Sequence, residues 1–137
     1  MSGWVTFEMA GREMAGSLDE VREVVRATGI EELSGTRAPV TGLLELRGAP
    51  VPVVDLRTEA DPDGRGDVLV LTTAEGLLGL AVDKVRAVVG EEDLVPNGAE
   101  SSHVGSLPAY VREVRHDLHG RPVLVVSLMA LAGLVTA

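Results

Sequence analysis

Valine- and leucine-rich runs along this chain alternate with stretches of glycine, proline and charge. Such runs read as strands, because β-branched side chains suit a pleated, half-buried surface. The clearest are Val5–Met9, Val21–Arg26, Leu43–Leu46, Val51–Leu56, Val68–Thr72, Leu77–Val82, Val85–Val89, Tyr110–Val114 and Val123–Val126. Turn-forming residues cluster in Gly29–Pro39, Asp61–Asp67 and Pro96–Ser102, which read as loops. Helical patterning is confined to Ser127–Leu134 and a short turn at Glu31–Ser34. Many short strands joined by Gly/Pro turns predict a mainly β domain, a barrel or a sandwich.

The pattern also repeats. Leu18-Asp19-Glu20-Val21-Arg22-Glu23-Val24-Val25 returns 64 residues later as Val82-Asp83-Lys84-Val85-Arg86-Ala87-Val88-Val89. Gly48-Ala49-Pro50-Val51-Pro52-Val53-Val54-Asp55-Leu56 returns 72 residues later as Gly120-Arg121-Pro122-Val123-Leu124-Val125-Val126-Ser127-Leu128. Two matches in the same order at nearly the same shift predict two related β-units, about residues 5–57 and 68–129. A unit of ~65 residues buries only a small core alone, so the two are expected to pack together and leave a groove at their seam. The glycine before each proline suits a hairpin turn, where a positive φ is cheap.

Composition narrows the function. The chain has 137 residues, no cysteine and a net charge of -9. The missing thiols exclude disulfides and thiolate metal sites. The negative charge argues against nucleic acid and anionic membranes, which both need cationic groups. Only 2% of the residues are aromatic, too few for a base-stacking platform, while 45% are hydrophobic, too many for disorder. The longest uncharged run, Pro122–Ala137, spans 16 residues, and it begins like a strand. A membrane-spanning helix needs about 20. With no basic, apolar leader at the start, the expectation is a cytoplasmic protein without membrane insertion.

Gly42-Leu43-Leu44-Glu45-Leu46-Arg47-Gly48-Ala49-Pro50-Val51-Pro52-Val53-Val54-Asp55-Leu56-Arg57 resembles the G-x-x-N-L-R-G-x-x-x-P-V-V-D-L-R stretch of CheW-like chemotaxis scaffold proteins. Leu78-Gly79-Leu80-Ala81-Val82-Asp83-Lys84-Val85 resembles that family's L-G-x-x-V-D-x-V. The resemblance runs over the whole chain as a single domain, residues 4–135. It implies two small SH3-like five-stranded β-barrels packed together, with a short C-terminal helix. It implies a non-enzymatic adaptor, without cofactor, that couples chemoreceptors to a CheA-type histidine kinase. Its partners would be the kinase's regulatory domain, on one barrel face, and the receptor's cytoplasmic helical tip, in the seam. The position matching the arginine of the L-R-G motif is Arg47, followed by Gly48. Val21 and Glu23 match the first D-x-V strand, with Val85 as the repeat partner of Val21. Alternation leaves some of Val21, Val24, Val85 and Val88 facing outward as an apolar patch. The candidate partner-binding set is therefore Val21, Glu23, Arg47, Gly48, Val85 and Val88. The chain departs from the family at Glu45, where asparagine is usual. It departs again near Glu13–Gly16, where an aromatic and one residue of a regular strand are missing.

Other chemistry is thin. His116 and His119 flank Asp117 and Leu118 where the repeat predicts a hairpin turn, and no third metal ligand has suitable spacing. His103 follows two serines in a loop, which is not a catalytic triad. Asp61–Asp67 has a calcium-loop look, but position 12 of such a loop falls on Thr72, not a glutamate. Asp55 and Asp83 interrupt apolar strands and are expected to bond a turn backbone or an arginine such as Arg57 or Arg86. Two alternatives stand beside the adaptor. One is a degenerate scaffold serving another signalling array. The other is a small-molecule-binding barrel, which predicts a deep pocket with converging polar groups and displaced pKa values.

Overall fold

The computed structural model describes residues 2–35, 39–58, 65–96 and 107–133. Twelve strands and one short helix follow in chain order: β1 Trp4–Met9, β2 Arg12–Ser17, β3 Val21–Arg26, β4 Glu31–Glu32, β5 Gly42–Leu46, β6 Ala49–Asp55, β7 Asp67–Thr73, β8 Gly76–Val82, β9 Lys84–Val89, β10 Val95–Pro96, β11 Val111–His116, β12 Pro122–Val126 and α1 Leu128–Leu131. They form two sheets. Sheet I has the order β10-β11-β12-β2-β1-β9, and sheet II the order β3-β7-β8-β6-β5-β4. Each has five strands of five to seven residues, the number expected, and a sixth of two residues. No pairing closes either ring among the described residues, but both sheets must curl. Five chain steps from Arg26 to Glu31 reach at most ~18 Å, whereas the end strands of a flat six-stranded sheet lie ~24 Å apart.

The two orders are the same when β1 is matched with β7, β2 with β8, and β9–β12 with β3–β6. Each sheet contains one parallel pair at the matching place, β12 with β2 and β6 with β8. Each also carries a bulge on its end strand, at Arg22 in β3 and at Arg86 in β9. Neither half of the chain builds a sheet of its own, however. The hairpin β1–β2 belongs to the sheet formed by the second half, and β7–β8 to the sheet formed by the first.

This exchange gives three apolar layers. The largest lies between the sheets, with Val5, Phe7, Met9 and Met14 from sheet I against Leu69, Leu71, Leu78, Leu80 and Val82 from sheet II. Inside sheet II lie Ala27, Leu44, Val53, Val68, Val70 and Ala81, and inside sheet I lie Ala15, Leu94 and Val123. Central strands are therefore buried on both faces, and the continuous apolar run of β7 is the signature of that position. Ser127 caps α1 by accepting from the Ala130 amide, and Leu128 is fully buried over Gly16.

Three readings change. Glu31–Ser34 is not a helical turn. Glu31 and Glu32 pair with β5 as an exposed edge, and the Leu33 amide donates to Thr41, so ladder pairing overrides the helix propensity of glutamate. β2 had no β-branched signal, yet it pairs with β1 at all six positions. Pro96, the first residue of the expected loop Pro96–Ser102, instead pairs with Arg115 in β10, and the rest of that loop lies outside the described residues. His103 and residues 59–64, which include most of the calcium-like loop, lie outside the described residues, as does the end of the expected helix at Leu134.

Candidate partner-binding site

The hairpin β5–β6 turns on only two residues, because Leu46 pairs with Ala49. Both have positive φ, 48° at Arg47 and 84° at Gly48, as a type I′ turn requires. Glycine adopts this conformation freely, and arginine does so at a cost. Curling of sheet II brings the turn to the end strand β3, where the bulge presents Glu23. The Arg47 guanidinium grips the Glu23 carboxylate with both nitrogens, Nη1 to Oε2 at 3.1 Å and Nη2 to Oε1. The pair thus clasps two elements that are far apart in the strand order.

The clasp is a surface feature. Two-thirds of the Arg47 side chain is exposed (66%), against 26% for Glu23. The hydrogen bond from Arg47 lowers the Glu23 pKa, and Glu23 in turn raises that of Arg47. Both groups stay ionised through the neutral range, with the outer side of the guanidinium open to solvent.

The apolar candidates divide. Val21 pairs with Leu71, and Val85 with Phe7, so both pack against the core between the sheets. Val24 and Val88 continue the same faces outward, where they are 39% and 66% exposed. Each end strand therefore carries the shared core out to solvent. The structure joins Glu23, Arg47 and Gly48 in one place, beside Val21 on β3, and sets Val85 and Val88 on the equivalent strand of the other sheet.

Asp55 and Asp83 have structural partners. Arg57 Nε and Nη2 donate to Asp55 at 3.0 and 2.8 Å. Asp83 accepts from the Ala10 amide at 2.9 Å and from the Thr58 amide at 2.8 Å, with the Thr58 hydroxyl as a third donor. Burial alone would raise the Asp83 pKa, but these donors and nearby Arg57 outweigh it and the net shift is downward. Asp117 likewise accepts the amides of His119 and Arg121, which shapes the β11–β12 turn and lowers its pKa against the effect of burial. Among the described residues no group of three His, Asp or Glu is placed to hold a metal.

One charged cluster escaped the sequence reading. Glu8 and Glu13 face each other across β1–β2, and Arg86 from the β9 bulge lies 2.6 Å from Glu8 and 3.8 Å from Glu13. They line an open cleft of about 310 Å³ with Gly11, Arg121 and Pro122. The signal was the Ala10-Gly11 turn, hidden because β2 was not recognised as its second strand. Among the described residues, the groups with displaced pKa values, Glu23, Arg47, Asp83 and Asp117, do not line this cleft.

Comparison with known proteins agrees with the fold. The CheW-like domain profile matches residues 3–135. A probable chemotaxis protein CheW of Rhizobium etli is 28% identical over 65% of this chain and 61% of its own length. Chemotaxis protein CheW of Rhizobium meliloti is 28% identical over 67% of this chain and 64% of its own. The chain thus spans a little over three-fifths of these two relatives. Protein PilI of Pseudomonas aeruginosa is 30% identical over 93% of this chain and 74% of its own. The crystal structure of scaffolding protein TtCheW from Thermoanaerobacter tengcongensis superposes with a TM-score of 0.69, at 21% identity, over 93% of this chain and 84% of that one.

Proposed function

The chain belongs to the CheW-like domain family of non-enzymatic adaptors in chemotaxis-like signalling, and on that premise we propose that it couples chemoreceptors to a CheA-type histidine kinase. The observation that carries the proposal is the clasp at the β5–β6 turn. An arginine held in a left-handed turn, with its fork steadied by Glu23 and its outer side exposed, is a prepared interface anchor. The valines beside it supply apolar area at the rim of the shared core. In this reading the kinase's regulatory domain meets a barrel face, the receptor tip meets the seam between the sheets, and the protein works in the cytoplasm. Among the described residues no helix is long and apolar enough to cross a membrane.

Arg47→Ala tests the reading. It is expected to weaken binding to the kinase regulatory domain or the receptor tip while the urea midpoint stays nearly unchanged. Unaltered binding to both would remove Arg47 from the interface. A second reading, a CheW-like scaffold serving another signalling array, is favoured by the match to Protein PilI, which covers more of this chain than either match to a protein named CheW.

A further inference from the structure

The exchange of hairpins between the two halves bears on what else this chain binds. The β1–β2 hairpin fills sheet I by pairing with β9 at five positions and with β12 at two. It contributes Val5, Phe7, Met9 and Met14 to the core between the sheets and Ala15 to the core inside sheet I. Its connection to β3 is a single 3₁₀ turn, Leu18–Glu20. The turn is bonded on both sides, for the Val21 amide at the start of β3 donates to the Leu18 carbonyl. Ser17 Oγ accepts from the Asp19 amide, and the Leu18 amide donates to Gly3. The hairpin is thus joined to the following chain through this one turn, while its strand pairings are to β9 and β12 of the other half. The equivalent β7–β8 hairpin is likewise given by one half of the chain to the sheet of the other.

We propose that the β1–β2 hairpin is also donated in trans, so that a second copy of this chain is a partner and two copies complete each other's sheet I. Every strand pairing and every buried side chain of the hairpin is remade in such a dimer. Only the three-residue turn differs, extended where it is now coiled. Short connections of this kind invite exchange. Because monomer and dimer make the same contacts, chain concentration sets the balance between them.

Glu8 and Lys84 are partners across β1 and β9, and the natural chain has no cysteine. This permits a direct test with the full chain. Glu8→Cys chains and Lys84→Cys chains are mixed, unfolded, refolded together at high concentration and oxidised. The expected product is a covalent heterodimer joining one chain of each kind, in a yield that rises with concentration. A double variant with both cysteines, refolded dilute, supplies the control, since it must cross-link within one chain. If that control closes and the mixture yields no heterodimer, exchange does not occur. Dimers of two Glu8→Cys chains alone point to ordinary face-to-face contact and also overturn the proposal.

Discussion

Arg47 occupies a backbone position that favours glycine or asparagine, and its side chain finds one bidentate partner, Glu23. Since the pair is exposed, its contribution to folding is small, which is why Arg47→Ala separates binding from stability. The pH dependence has a definite sign. Glu23 titrates below its usual 4.5 in the folded protein. The pair's contribution is therefore fully present above that value and is lost as pH falls through the lower folded pKa. Urea titrations of wild type and Glu23→Gln should differ by a constant above about pH 5 and converge under more acid conditions. Asp83 is tied more firmly, through the Ala10 and Thr58 amides. Asp83→Asn is expected to cost on the order of 1 kcal/mol, the value of charge-assisted bonds reduced for partial exposure. The L-R-G motif and the D-x-V strand brought Arg47 and Glu23 forward separately. Their mutual contact was not legible, because it depends on the curl of a whole sheet.

Elements announced by valine were read correctly, and those built from small or polar residues were not. β2 reads Arg-Glu-Met-Ala-Gly-Ser, with no β-branched residue, because it lies between packed layers that leave little room. A Cβ added at Gly16 would lie 2.6 Å from Leu128. Gly16→Val should displace α1 and lower stability by about 1–3 kcal/mol, measurable by urea unfolding. The two-residue strands β4 and β10 lie below what periodicity can detect, and only their partners in the curled sheets define them. The short helix expected over Ser127–Leu134, by contrast, forms at Leu128–Leu131, with Ser127 as its cap.

At the scale of the molecule, the internal repeat was legible and the exchange of hairpins was not. Matching segments reveal that two units are related, but not which edges they offer each other. The consequence is cooperativity. The core between the sheets draws on both, so neither sheet should unfold first. Trp4 fluorescence, which reports on sheet I, and far-UV circular dichroism, which reports on all strands, should give one coincident urea transition. Separate midpoints would mean that the sheets are independent domains. The adaptor role also belongs to this scale, since it requires two surfaces to be occupied at once. Its most direct measurement is co-sedimentation of a CheA-type kinase with receptor tips from the same cell, with and without this protein. The account predicts that kinase sediments with receptor in proportion to the amount of this protein added, and that Arg47→Ala reduces the yield. Kinase that sediments equally in its presence and absence, or not at all in either case, would contradict it.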